Sequence, residues 1–242
     1  MRKISTIVLV FIITGIFVTF GFAQSPEQSM SKDFPKLKFD SMRSSNIKGL
    51  YEVTTGNEIL YYSPEAQSII VGEVYTKDGR NLTREKQQEN ITKKIGEKIK
   101  DIPLQKAVMI GKGKHTIIEI TDPDCPYCRR ASEFFSKRTD VTRYVFFFPL
   151  PSHPKAKDKA LYILCAKDKT KAYEDAMTGK LDNMDFKACE DTQPQELLKA
   201  HKDVADILEI RGTPFFFIDG KFAVFGADIP QLEKLLQNGT TK

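Results

Sequence analysis

The sequence predicts a two-module chain of mixed α+β and α/β class. A small antiparallel β-rich module comes first, then a charged linker helix, then a larger strand–helix–strand domain closing in a hairpin and a helix. Three observations predict this. Between Phe34 and Thr83, short apolar runs alternate with turn residues: GLYEV, then Thr55-Gly56-Asn57, then EILYY. Residues 84–102, REKQQENITKKIGEKIKDI, are charged apart from an apolar stripe at Ile91, Ile95 and Ile99. Beyond Pro103, the apolar runs HTIIEIT, RYVFFF and PFFFID are separated by helical segments, the layer pattern of an α/β domain.

The chain begins MRKISTIVLVFIITGIFVTFGFA, with Arg2 and Lys3 ahead of a long apolar run and Gly21 and Ala23 at its end. Residues 1–23 are expected to be a secretory signal peptide cleaved near Ala23, so they take no part in the fold. An uncleaved membrane anchor is the alternative, because the run approaches spanning length. Cleavage leaves 219 of the 242 residues and lowers the formal net charge from +5 to +3. Basic and acidic residues are interspersed, which gives no footprint for nucleic-acid binding.

The module expected at 24–83 contains neither cysteine nor histidine and no suggestive acidic pair, so it carries no catalytic chemistry. Ser63-Pro64-Glu65 punctuates it, SIIVGEVY supplies a further strand, and Lys77-Asp78-Gly79 turns the chain again. So short a segment buries too little apolar surface to be stable alone, and a meander leaves strand edges that need a partner. Pairing with the same segment of a second chain answers both needs; packing on its own catalytic domain is the alternative. The helix of 84–105 then acts as a stiff connector, stopped by Pro103.

In the domain expected at 106–242, the strand HTIIEIT is broken by Asp122-Pro123-Asp124, and PYCRRASEFFSKR reads as a helix with Ala131, Phe134 and Phe135 on its apolar face. Cys125 therefore falls at a helix start, with Pro126 in the first turn where its missing N–H costs nothing. RYVFFF, residues 143–148, is a second strand; a charged helical insertion follows from about Lys155 to Leu208. The chain ends with PFFFID, a turn at Gly220, KFAVFG and the helix PQLEKLLQ.

The four cysteines, Cys125, Cys128, Cys165 and Cys189, all lie in the part expected to be exported, where disulfides persist. At a helix N-terminus the first thiolate of a Cys-x-x-Cys pair is stabilised by the helix dipole and free backbone N–H groups. That makes Cys125 both a nucleophile and a good leaving group, and Cys128, one turn further on, is placed to close a disulfide back onto it. A zinc site would need two more ligands, whereas Cys165 and Cys189 lie far apart in sequence and His115, His153 and His201 are scattered. An inert staple across so short a loop would stabilise little. Neither a metal nor a cofactor is called for.

Three further features fit redox chemistry. Glu119 precedes Cys125 by six residues on an isoleucine-rich strand. A carboxylate at that depth is expected to be desolvated and able to take the Cys128 proton; pointing to solvent at a strand edge is the alternative. Thr213-Pro214 opens the strand PFFFI, and a cis proline there would leave the Thr213 backbone free to pair with an extended substrate; an ordinary trans proline at a strand start is the alternative. Cys165 and Cys189 flank the helical insertion and read as a structural disulfide worth roughly 3 kcal/mol in the loop-entropy picture, with a second active dithiol as the alternative.

These residues resemble the thioredoxin superfamily, and more closely the periplasmic protein disulfide isomerases of the DsbC/DsbG type. The resemblance runs through IKGLYEVTTGNEILYYSPEAQSIIVGEVYTKDGRNLT, the CPYC at 125–128, LCAKDKTKAYEDAMTGK and RGTPFFF. It implies a thioredoxin-like catalytic domain with a helical insertion, behind a small cystatin-like module that joins two chains into a homodimer with an apolar cleft. It also implies that Cys125 attacks wrong disulfides in exported proteins, that Cys128 resolves the adduct, and that a membrane reductase of the DsbD type keeps the pair reduced. Thr213 and Pro214 would hold the substrate backbone, and Tyr127 would shape the surface around the sulfurs. Pro-Tyr between the cysteines, where the best-known isomerases carry Gly-Tyr, and Glu119, which matches the buried acid of thioredoxin and the DsbA-type oxidases, depart from the isomerase pattern. A thiol oxidase, a client-specific reductase and a holdase chaperone are therefore the competing readings.

Overall fold

The computed structural model describes residues 24–189 and 191–238, so the expected signal peptide lies outside the described residues. The chain divides into two compact units, 1–72 and 73–242.

In the first unit, helix α1 (Pro26–Asp33) opens with a capping box in which the Ser25 hydroxyl and the Gln28 side chain satisfy each other's backbone N–H groups. An antiparallel meander follows: β1 (Ser41–Ser44), β2 (Tyr51–Thr55), β3 (Glu58–Ser63) and β4 (Ser68–Ile70), in that spatial order. The β2–β3 hairpin pairs Thr55 with Glu58 across Gly56 and Asn57, and Gly56 takes the positive φ of 60° that such a tight turn requires. Met30, Val53, Leu60 and Tyr62 form this unit's core. The reading of SIIVGEVY as one strand is too long. Pairing stops at Ile70, and Tyr75 makes only an isolated bridge with Asn81. The short helix α1 was not legible as such.

The second unit begins with helix α2 (Leu82–Lys98), capped by the Asn81 side chain. Its isoleucine stripe is engaged: Ile95 is buried with Ile118, Phe215 and Phe217, and Ile91 and Ile99 pack at the edge of that cluster. The charged face stays in solvent, so a narrow stripe suffices to seat the helix.

A five-stranded sheet follows, built from β5 (Val108–Ile110), β6 (His115–Thr121), β7 (Val141–Phe147), β8 (Phe215–Ile218) and β9 (Phe222–Phe225). Its spatial order is β5-β7-β6-β8-β9, with β6 and β7 parallel and the other neighbours antiparallel. The parallel β6–β7 pair is bridged by helix α3 (Pro126–Ser136), the crossover a parallel pair needs. Both sheet faces are covered, which is why β6, β7 and β8 read as nearly continuous apolar runs. On one face Ile117, Phe216 and Val224 pack against Ala131 and Phe135 of α3 and against Leu232 and Leu236 of α7 (Ile229–Asn238). On the other, Ile118, Ile120 and Phe146 meet Val204 and Ala205 of α6 (Thr192–Ile207).

The helical insertion between β7 and β8 comprises α4 (Ala156–Cys165), α5 (Lys169–Met177) and α6. Cys165, the last residue of α4, is disulfide-bonded to Cys189, with Cα atoms 6.2 Å apart. Among the described residues, no helix is long and apolar enough to cross a membrane. The disulfide closes a loop with a sequence separation of 24 residues. Replacing Cys165 and Cys189 together with alanine is expected to lower unfolding stability by about 2–4 kcal/mol in urea titrations; an unchanged midpoint would contradict a structural role.

Candidate active site

The site lies where β6 ends and α3 begins. Cys125 is the N-cap residue of α3, in extended conformation, and Pro126 occupies the first helical position. Its Sγ lies 3.6 Å from the Thr213 carbonyl oxygen, within reach of a thiol donor. Thr213 and Pro214, joined by a cis peptide, lead into β8, so the turn before β8 sits against the start of α3. Cys128, one turn into α3, is fully buried, and the Asp122 amide donates to its Sγ at 3.4 Å. Both thiols are free. Tyr127, between them, is 59% exposed and presents its ring to solvent.

The two sulfurs are driven apart in acidity. The Cys128 thiol donating to Cys125 is the largest cause that lowers the Cys125 pKa from 9.0 to about 5. The backbone N–H of Cys128, Thr213 and the backbone N–H of Tyr127 act in the same direction, against burial. Burial pushes the Cys128 thiol far up, and its hydrogen bond to Cys125 adds to that. One sulfur is thus a thiolate at neutral pH and the other a thiol, the division of labour that attack and later resolution require.

Asp122, read from sequence only as a strand breaker, is the organiser of this loop. It is wholly buried. Its carbonyl accepts from the Cys125 N–H at 3.1 Å. Its carboxylate accepts from the Asp124 N–H at 2.7 Å and the Leu150 N–H at 2.7 Å, and His153 Nδ1 lies 2.9 Å from it. The buried Lys159 bridges Asp124 and Asp182. Arg129 from α3 contacts Asp182 through both terminal nitrogens and the Pro123 carbonyl through Nε. Arg129 foremost, and then Lys159, hold the Asp182 carboxyl well below the usual carboxylate range. Only the Asp-Pro-Asp cluster hinted at this network; its cationic partners come from distant elements.

Glu119 is wholly buried, not at a solvent edge. Arg143 Nη1 donates to its Oε2 at 3.0 Å and the Tyr173 hydroxyl to its Oε1 at 3.1 Å. The Arg143 guanidinium is itself buried, near the rings of Phe135 and Tyr173. Both carboxylate oxygens are therefore taken by a cation and a phenol, company that the sequence reading of Glu119 as a lone desolvated acid lacked. Arg143 was read only as the start of an apolar strand. Cys125, Cys128, Thr213 and Pro214 come together; Cys165 and Cys189 form a separate bond at the end of α4. Among the described residues, no group of three His, Cys, Asp or Glu side chains is arranged to hold a metal ion.

Comparison with known proteins now bears on this geometry. Residues 102–239, more than half of the chain, match the thioredoxin-like domain family. Residues 21–84 match the disulfide bond isomerase protein N-terminal domain. The chain is a thioredoxin-like protein of the disulfide isomerase type. As a member of that family it is a thiol–disulfide oxidoreductase. A Bordetella avium protein named "Probable thiol:disulfide interchange protein DsbC" is 29% identical over 212 residues, covering 84% of this chain and 73% of its own. The Escherichia coli K12 "Thiol:disulfide interchange protein DsbC" is 29% identical over 171 residues, covering 66% of this chain and 68% of its own. In fold, the thiol-disulfide exchange protein alpha-DsbA2 from Wolbachia pipientis is similar over 64% of this chain and 98% of its own, with a TM-score of 0.50 at 15% identity.

Two predictions follow from the charges. Alkylation of Cys125 across a pH series should show a midpoint near 5, the thiolate persisting above it and disappearing as pH falls through it; a midpoint near 9 would refute the pairing with Cys128. Arg143→Met strands a buried carboxylate and is expected to cost about 3–5 kcal/mol, much of it recovered when Glu119→Leu is added. Equal losses in the single and double variants would deny that the two charges act as a pair.

Proposed function

We propose that this chain is an exported, periplasmic disulfide isomerase that reduces and reshuffles incorrect disulfides in secreted proteins through Cys125 and Cys128. The observation that carries the reading is the Cys125 sulfur at a helix start, 3.6 Å from the Thr213 carbonyl oxygen and one turn from the wholly buried Cys128 thiol. The Cys125 thiolate attacks a substrate disulfide and forms a mixed disulfide, releasing the other substrate sulfur. A free thiolate of the substrate then attacks the adduct, which reshuffles its pairing; where none is placed to do so, Cys128 attacks Cys125 and frees the reduced substrate. Only protein and substrate sulfurs exchange electrons, so the chemistry uses no cofactor.

Thr213 and Pro214 hold the substrate backbone beside the sulfurs, Tyr127 shapes the rim, and Glu119, tied to Arg143, serves the proton balance of Cys128. Segment 24–83 pairs two chains, 84–105 connects, and 106–242 catalyses. The three-residue edge strand β4, ending at Ile70, which is 49% exposed, with Val71 79% exposed just beyond it, supports the pairing. A membrane reductase of the DsbD type restores the dithiol, and misfolded exported proteins are the clients.

A second reading, a thiol oxidase, is favoured by the low Cys125 pKa, because a stabilised thiolate makes the disulfide form more oxidising. A potential nearer about −120 mV than −200 mV would select the oxidase. The deciding experiment combines the mass of the chain in solution with reactivation of scrambled, fully oxidised ribonuclease. A dimer that restores activity and loses it on Cys125→Ser is expected. A monomer that only oxidises reduced ribonuclease would overturn the isomerase, and aggregation suppression unaffected by Cys125→Ser with no reactivation would select a holdase.

A further inference from the structure

Two buried hydroxyls beside the dithiol make no hydrogen bond, and that of Thr121 has no use in the reaction as described so far. Thr121 ends β6 and is wholly buried, and its Oγ1 lacks a hydrogen-bond partner; Thr213 Oγ1 is buried without one as well. A buried hydroxyl left unpaired costs free energy, so threonine where isosteric valine would pack calls for a state in which the hydroxyl is used. Thr213, whose carbonyl oxygen lies 3.6 Å from Cys125 Sγ, favours the ionised form of that sulfur as well as of Cys128, and Thr121, adjoining Asp122, favours the ionised form of Cys128. The Asp122 amide reaches the same sulfur at 3.4 Å, and three donors to its carboxylate fix that residue in place. Val145, Phe147 and Ala176 share a buried apolar cluster with Cys128.

We propose that the Thr121 hydroxyl, with that of Thr213 and the Asp122 amide, lines a donor pocket that holds the Cys128 thiolate in the resolving step. The proposal rests on the function given above. While Cys125 is a thiolate, the Cys128 thiol donates its proton toward it. Once Cys125 is tied to a substrate sulfur, that acceptor is gone and Cys128 must carry negative charge in an apolar cluster. A hydroxyl can turn its hydrogen toward the sulfur at that moment and needs no partner before it. The step balances: Cys128 loses its proton, its Sγ bonds to Cys125 Sγ, and the bond from Cys125 to the substrate sulfur breaks. The substrate leaves as a thiolate and takes up the proton. In this step the Cys128 sulfur is oxidised from thiolate to disulfide level and the substrate sulfur is reduced from disulfide to thiolate level; over attack and resolution together the dithiol gives two electrons to the substrate disulfide.

The test uses the full chain and oxidised glutathione as probe, separating adduct formation at Cys125 from its resolution by quenched-flow mass analysis. In Thr121→Val, adduct formation and the Cys125 alkylation midpoint should stay as in the unsubstituted chain while resolution slows about tenfold; Thr121→Ser should restore it. If Thr121→Val fails to fold, judged by circular dichroism, Thr121→Ala replaces it with the same expected split. Resolution within about twofold of the unsubstituted rate in the folded variant overturns the proposal. No adduct at Cys125 in the unsubstituted chain overturns the proposed function itself, and the inference with it.

Discussion

The active site depends on the hydrogen bonds that converge on Asp122. Its carboxylate, without solvent, accepts from the backbone of Asp124 and Leu150 and lies against the His153 ring, while its own amide and carbonyl contact the two cysteines. Each hydrogen bond to a buried charge is worth about 1.5–3 kcal/mol. The loop between β6 and α3 is therefore held by several independent ties, and the position of Cys125 at the helix start follows from them. Pro126 complements this, since its fixed φ suits the first helical position and its missing N–H leaves no orphan donor.

Charge does the remaining positioning, and much of it comes from the helical insertion. Lys159 of α4 reaches Asp124, next in sequence to Cys125, and Asp182 beyond α5 holds Arg129 of α3. Tyr173 of α5 completes the Glu119–Arg143 pair beneath the sheet. Buried ion pairs are weak contributors to stability, because desolvation offsets most of the Coulomb gain, but an unmatched member is severely unfavourable. A different packing of α4 or α5 against the catalytic layer would leave a buried charge unmatched. The insertion thus acts as a positioning element for the thiols.

Much of this was legible in the residues. Apolar runs with turn residues located the β2–β3 hairpin, and the Asp-Pro-Asp break followed by Pro126 placed Cys125 at a helix start. Glu119 was legible as an unusual residue on an isoleucine strand, but not its partners, because Arg143 and Tyr173 come from a neighbouring strand and a distant helix. Lys159 and His153 were invisible for the same reason: long-range pairing leaves no mark at any fixed spacing. Helix α1 was missed because its buried side is a single methionine, Met30, too little for a periodic signal. The charge of α2 suggested a solvated helix, yet one buried isoleucine, flanked by two partly buried ones, seats it on the sheet.

The central claim is that Cys125 is the attacking sulfur and Cys128 the buried one that resolves. The most direct measurement is to mix the Cys128→Ala chain with a disulfide-scrambled client at neutral pH and map the trapped adduct by peptide mass analysis. The account predicts a stable mixed disulfide on Cys125, formed at a rate that falls away only as pH drops toward about 5. A chain that traps no client, or an adduct on another cysteine with Cys125 left free, would contradict it.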